Sequence, residues 1–384
     1  MTDSVLVVGG GIAGRAVARV LARQGLGCTI VERREHVGRG MGLNLPGNAV
    51  RALGELGVPG EALADGVSVD RREYRNDRNR LLFAVAEDRF WRDVAPPVCL
   101  RHGDLLDALA LPTKVTLRHA RAVAARPTPT GVEVEVDGEP PRSFGFVIGA
   151  DGVRSAMRAA IADDGLRSSS MTGSCWRFVV DNPGVDCWTA WSGRDATFLL
   201  IPVEPGRVYG YAARTRGGHV GSDPTWLARA ADKFPAVVRV AAAQAVAEGE
   251  LHHAAVDEVR LEQWHNGRLV LIGDAAHATG PIWAQGVAMA LEDALVLGEL
   301  LALTPVKEWA GVGADFERLR RPRVDHVRSA TDKMSRLARL PGLVRDVVAP
   351  VLGPRNYREA CGPLRSPLDG LHTFRHARNT GPHG

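Results

Sequence analysis

Val5-Leu6-Val7-Val8 is an uninterrupted apolar run that breaks into Gly9-Gly10-Gly11 before a helix begins. Such a run predicts a buried strand, and Cys28-Thr29-Ile30-Val31-Glu32 reads as the strand that returns beside it. Asn44-Leu45-Pro46 supplies a capping residue and an early-helix proline, so the apolar-periodic stretch to Leu56 predicts a helix. Between Val67 and Phe90 the pattern becomes a hairpin around the polar turn Asn76-Asp77-Arg78-Asn79, and Arg101 to Leu109 predicts a short capped helix. Val132, Val134 and Val136 alternate with Glu133 and Glu135, giving a half-exposed strand that ends at Asp137-Gly138. Phe146 to Gly149 and Arg268 to Ile272 return to the wholly apolar style, and a long helical stretch follows from Gly286 to Leu303.

From about residue 168 to about residue 260 the chain is strand-like and holds Trp176, Trp188, Trp191, Phe198, Tyr209 and Tyr211. A second, β-rich domain is the reading. At 384 residues the chain exceeds the usual size of one core, which favours two interleaved domains of α/β class. The segments beyond about residue 365 are poor in apolar residues and predict a loose tail.

Composition narrows the function by exclusion. A hydrophobic fraction of 45% with 24% charged residues is ordinary for a globular protein. No apolar run approaches a membrane span and the chain enters a strand directly, so a cytoplasmic protein without stable membrane association is expected. The net charge of +4 is carried almost wholly by arginine, with Lys114, Lys233, Lys307 and Lys333 the only lysines. These cations are interleaved with acids and form no stripe suited to nucleic acid. The five cysteines are scattered and contain no Cys-x-x-Cys pair, which argues against a disulfide framework or a metal site. Nothing in the chain sets an oligomeric state.

The opening segment carries chemistry of its own. Gly9 permits a tight turn, Gly11 lets backbone N–H groups approach a pyrophosphate, and Gly14 brings the helix close to the strand. Glu32 follows at about the 20-residue spacing of a dinucleotide fingerprint, placed to accept from an unphosphorylated ribose. The helix N-terminus adds a positive field. By itself this predicts an ADP-ribosyl cofactor, either NAD or FAD.

Two further segments decide between them. Gly149-Ala-Asp151-Gly152-Val-Arg-Ser155-Ala-Met-Arg158 and Gly273-Asp274-Ala-Ala-His277-Ala-Thr-Gly-Pro281-Ile-Trp-Ala-Gln285-Gly286 follow the fingerprint in order. With them the chain resembles the single-component FAD-dependent monooxygenases, the aromatic hydroxylases of the para-hydroxybenzoate hydroxylase fold. The resemblance implies a Rossmann-like FAD-binding domain at 1–72, 93–167 and 262–335, an interleaved β-sheet substrate domain at 73–92 and 168–261, and C-terminal helices with a loose tail at 336–384. It implies that Gly9, Gly11, Ala13, Gly14, Glu32, Arg33, Arg101, Asp151, Asp274, Gly286, Val287 and Ala288 bind FAD, with Asp274 on the ribityl chain and the amides near Gly286 at the pyrimidine edge. His277 receives no proton-transfer role. Ala284 stands in place of the first glycine of the usual Gly-Gln-Gly, Trp283 precedes it, and Ala288 occupies a position where relatives often place asparagine.

The implied reaction uses NADPH or NADH as a transient reductant and O2 as co-substrate, passing one oxygen atom through a flavin hydroperoxide to an aromatic, polycyclic or alkene substrate. Hydroxylation and epoxidation stay equally open. Tyr209 and Tyr211 share one face of a strand and, with Pro281 and Trp283, are pocket candidates; no catalytic side chain is identified. Arg177, pointing opposite to Trp176 and Phe178, either binds a carboxylate or lies exposed. The alternative function is a flavin-binding scaffold without redox turnover that templates a cyclisation or carries a ligand. A plain NAD dehydrogenase leaves Asp151 and Asp274 unexplained.

Overall fold

The computed structural model describes residues 4–35, 40–162, 165–169, 172–216, 218–249, 251–338 and 340–368, with nothing said of the side chain at 343. Most of the expected tail, residues 369–384, lies outside the described residues. The structure is built on two large sheets.

The first sheet has six strands in the order His265–Asn266, Leu269–Leu271, Phe146–Gly149, Val5–Val8, Cys28–Glu32 and Val115–His119, parallel except at the His265–Asn266 edge. Its central strands are buried throughout, which is why they read as continuous apolar runs instead of alternating ones. The helix Ile12–Arg23 packs on this sheet beside the central helix Gly286–Leu303. They meet tightly at Gly298, where a Cβ would fall 2.4 Å from Val20 Cγ1. A three-stranded antiparallel sheet, Ala122–Thr128, Gly131–Val136 and Arg142–Phe144, belongs to the same core.

The second sheet has seven strands in the order Leu251–Ala255, Ser174–Asp181, Arg207–Arg214, Ala196–Glu204, Trp188–Ser192, Arg71–Asn76 and Leu81–Ala86. The hairpin expected around Asn76 to Asn79 supplies its last two strands. One face, with Trp176, Phe178, Phe198, Leu200 and Val208, is covered by the helices Thr225–Ala231 and Ala236–Glu248. Neither helix was anticipated within the strand-like region. Ala236–Glu248 is so rich in alanine and valine that it lacks a polar face, although Pro235 before it and Gly249 after it, at φ 71°, are ordinary helix stops.

Two local expectations need correction. Asn44 does not cap a helix: it lies in the strand Gly42–Leu45, and the helix starts at Gly47 with Pro46 as its N-cap. Asn44 Oδ1 instead accepts from Cys99 Sγ at 3.2 Å. Arg101 ends a strand, Val98–Arg101, and precedes the helix His102–Ala108 without a side-chain cap. Beyond the central helix, Val312–Ala338 runs on through an interior Pro322, and the expected C-terminal helix is Gly342–Cys361, followed by a short turn of helix at Gly362–Arg365. No described helix is long and apolar enough to cross a membrane.

Candidate active site

The three motifs meet in one cleft. Gly9 sits at φ 107°, where a side chain is strained, and a Cβ there would lie 2.3 Å from the Ala150 carbonyl oxygen, so the fingerprint turn is pressed against the Asp-Gly motif. A Cβ on Gly14 would come within 1.9 Å of the Gly9 oxygen, which is the close strand–helix approach expected of it. Gly273, at φ 58°, faces Ala13 and the central helix at Ala290. Gly286 looks towards Asp274, whose Oδ1 would be 3.9 Å from an added Cβ. Gly11 has open space on its Cβ side and no side chain caps the helix it starts.

Glu32 does more than wait for a ligand. Its Oε2 accepts from Gly10 N at 2.7 Å and its Oε1 from Arg34 N at 2.9 Å, fixing the fingerprint loop on the returning strand. Arg33 is exposed beside it. Arg101 reaches Glu204 at 3.5 Å while its buried Nε has no partner. Asp151 accepts from Ala156 N at 2.7 Å and Met157 N at 3.2 Å through Oδ2, leaving Oδ1 without a partner.

Asp274 has solvent-accessible surface yet is surrounded by protein, as a group on the wall of a deep cleft would be. Burial raises its carboxyl above the ordinary range, with His277 and Arg177 pulling the other way. Behind it runs a buried polar network that the sequence reading missed. His277 Nε2 is 2.6 Å from Asp293 Oδ2, which also accepts from Gly273 N at 2.8 Å, while Arg320 Nε donates to Asp293 Oδ1 at 2.8 Å. Burial would raise Asp293, but His277 and Arg320 outweigh it and hold the carboxyl down to about 2. Arg320 and Arg323 pair with Glu292 at 2.9 Å, and Asn48 links Glu292 to Gln285. His277 is thereby a structural tie. Glu292 and Asp293, with Glu299 further on, interrupt an otherwise apolar helix, and those acids were the available signal, since buried carboxylates demand partners.

The turn from Pro281 to Gly286 is unusual. Ala284 adopts φ 55° and ψ 31°, a left-handed conformation that costs a non-glycine residue about 1–2 kcal/mol. Pro281 is exposed at its start and Trp283 is buried. The Trp283 ring meets Tyr357 of the last helix edge-on at 6.4 Å, and it lines a cleft of about 190 Å³ with His326, Met334 and Asn356. The central helix begins immediately afterwards with Gly286 exposed, Val287 half-buried and Ala288 buried, and its N-terminus has no side-chain cap.

The other face of the seven-stranded sheet packs in part against Met41, Gly42 and Cys99. Tyr209 and Tyr211 do share that face, with Trp188, Leu199 and Tyr74. Burial pushes the Tyr209 phenol up to about 12, and burial with the nearby Cys175 raises Tyr211 further, so both stay protonated near neutral pH. Arg177 stands opposite Tyr211 on the neighbouring strand; it is half-buried, not exposed.

Open space at Gly11, unpartnered polar atoms on Arg101 and Asp151, and a carboxylate on the cleft wall fit a dinucleotide with a polyol arm, so the fold and site define a flavoprotein of the FAD class. Residues 2–328 match the family described as FAD binding domain, and the chain belongs to that family. It is 31% identical over 340 residues to the 3-amino-4-hydroxybenzoate 2-monooxygenase PtnB3 of Streptomyces platensis, covering 84% of this chain and 85% of that one. It is also 31% identical over 318 residues to the aurachin C monooxygenase/isomerase of Stigmatella aurantiaca, covering 78% and 81%. Klebsiella pneumoniae HpxO, in its crystal structure complexed with FAD and uric acid, shares the fold with a TM-score of 0.80 at 20% identity, over 99% of this chain and 98% of that one. The protein is an FAD-dependent monooxygenase with NAD(P)H as reductant.

Proposed function

We propose that the cleft between the two large sheets holds FAD and that the enzyme inserts one atom of dioxygen into an aromatic or heteroaromatic small molecule in the cytoplasm. The observation that carries this is the convergence of the three motifs beneath an aromatic sheet face. In this reading Gly9, Gly11, Ala13 and Gly14 receive the pyrophosphate at a helix N-terminus, and Glu32 takes the adenosine ribose while it shapes the loop. Arg33, Arg101 and Asp151 border the same ligand, and Asp274 accepts from its ribityl hydroxyls. The amides of Gly286, Val287 and Ala288 direct the positive end of the central helix at the reactive ring, where negative charge develops on reduction. Bound FAD supplies the transfer of electrons from NAD(P)H to oxygen.

The chain's own residues orient the substrate and exclude water. Tyr209 and Tyr211, kept protonated, act as hydrogen-bonding groups and not as bases. Apolar Leu199 and Trp188 give the roof a dry surface. The relatives' names carry a hydroxybenzoate and aurachin C, and HpxO holds uric acid, which supports a ring substrate. Five free, buried thiols suit a reducing compartment. The test is direct: the purified protein should carry flavin absorbance, and ring compounds should accelerate its oxidation of NAD(P)H. Flavin without any stimulated oxidation would instead support the scaffold lacking turnover.

A further inference from the structure

The two C-terminal helices, Val312–Ala338 and Gly342–Cys361, leave a cleft of about 190 Å³ between them. Apart from Trp283, its lining comes from these helices and not from the dinucleotide motifs or the large sheets. Trp283, Ala330, Met334 and Ala360 make the walls mainly apolar. The volume is somewhat above the roughly 150 Å³ of a buried cavity that takes one benzene ring, so a single six-membered ring with small substituents fills it.

The polar groups in this cleft are not used up by the fold. Asn356 is only 9% exposed, and among the described residues its carboxamide makes no hydrogen bond. The amide still keeps accessible surface, and the cleft is the space that Asn356 lines. A carboxamide placed so deeply ordinarily has a partner, because burying one without a hydrogen bond costs free energy. His326 adds an acceptor: its Nε2 donates to the Ala360 carbonyl oxygen at 2.9 Å, which leaves Nδ1 of the neutral ring with a free lone pair. The site therefore asks for a ligand with both a donor and an acceptor. It does not ask for an ion, since Lys333 pairs with Glu359 at 2.5 Å and Glu359 also accepts from Arg355 at 2.8 Å.

We propose that this cleft is a second small-molecule site, separate from the one the motifs define, and that it takes an uncharged six-membered ring with a lactam edge, a carbonyl beside an N–H. The lactam carbonyl accepts from Asn356 Nδ2 and its N–H donates to Asn356 Oδ1, the pairing of two amides edge to edge. The ring lies against the Trp283 indole and the Met334 thioether, a surface suited to aromatic contact. Trp283 directly precedes Ala284, the left-handed residue of its turn, so an occupant also bears on the segment that leads into the central helix. None of this depends on oxygen transfer.

The experiment titrates the whole chain, as purified with its flavin, with 2-pyridone and with N-methyl-2-pyridone, which keeps the ring and carbonyl but lacks the N–H. Calorimetry follows the binding. The parent protein should bind 2-pyridone about three- to tenfold more tightly than the methylated compound, the range of one hydrogen bond between neutral groups. Asn356→Leu should erase that difference. Ala330→Leu, which fills the cleft from the opposite helix, should weaken 2-pyridone by about tenfold or more, and both variants should keep the parent's flavin content. No binding of 2-pyridone to the parent, equal binding of the two compounds, or undiminished binding by A330L overturns the proposal. A difference that persists in N356L reflects the bulk of the methyl group instead of the amide pairing and overturns it as well.

Discussion

Asp274 carries a carboxyl that its surroundings hold above the ordinary range, at a cost to the fold. Ionising it costs more in the folded state than in the unfolded chain. A group with a raised folded pKa contributes its stability at low pH and loses it as pH climbs through that folded value. The ligand-free Asp274→Asn variant should therefore melt at a higher temperature than the parent near neutral pH, with the difference vanishing below the ordinary carboxyl range. Loss of a charge-assisted bond to a ribityl hydroxyl should at the same time weaken FAD binding by about 1.5–3 kcal/mol. Thermal melts across pH and flavin titrations check both; a variant that melts like the parent and keeps its flavin affinity would remove Asp274 from the cofactor wall. The residue identities at Gly9, Gly14, Glu32 and Asp274 were legible because each answers a short-range demand of strand, turn and helix. Glu32's second duty, clamping the amides of Gly10 and Arg34, was not, since it depends on where the loop folds back.

At the scale of elements, the fully apolar strands and the helix Gly286–Leu303 could be read from the chain because burial on all sides leaves a continuous signal. Ala236–Glu248 escaped because an alanine-rich helix shows little contrast between its faces, and Asn44 misled because the side chain that resembled a cap is used inside a small sheet. The turn at Trp283 joins elements far apart in sequence. Its ring lies against Tyr357, which donates to Glu87 at 2.6 Å and accepts from Trp91 Nε1 at 3.1 Å, so this turn, the last helix and the hairpin segment share one buried cluster. Trp283→Ala should accordingly lower stability by about 3–5 kcal/mol, measured by denaturant unfolding, while the flavin-loaded fraction keeps its substrate preference. A stable variant with altered preference or wasteful NAD(P)H oxidation would place the ring on the substrate instead.

For the whole molecule, the six-stranded sheet contributes glycine turns and helix N-termini, and the seven-stranded sheet aromatic side chains and Arg177. The sequence announced the first wall through motifs and the second only as a surplus of aromatic residues, because cross-strand register is set by pairings distant in the chain. The buried ties from His277 through Asp293 to Arg320 connect the segment after Gly273 to the helix Val312–Ala338. The account as a whole stands on oxygen transfer. Turnover of an accepted ring compound with NAD(P)H under isotopically labelled dioxygen, read by mass spectrometry of the product, tests that most directly. The account predicts incorporation of one labelled oxygen atom per product molecule, with NAD(P)H consumed in step; a product that carries no label, or NAD(P)H consumption with no oxygenated product from any ring compound that binds, would contradict it.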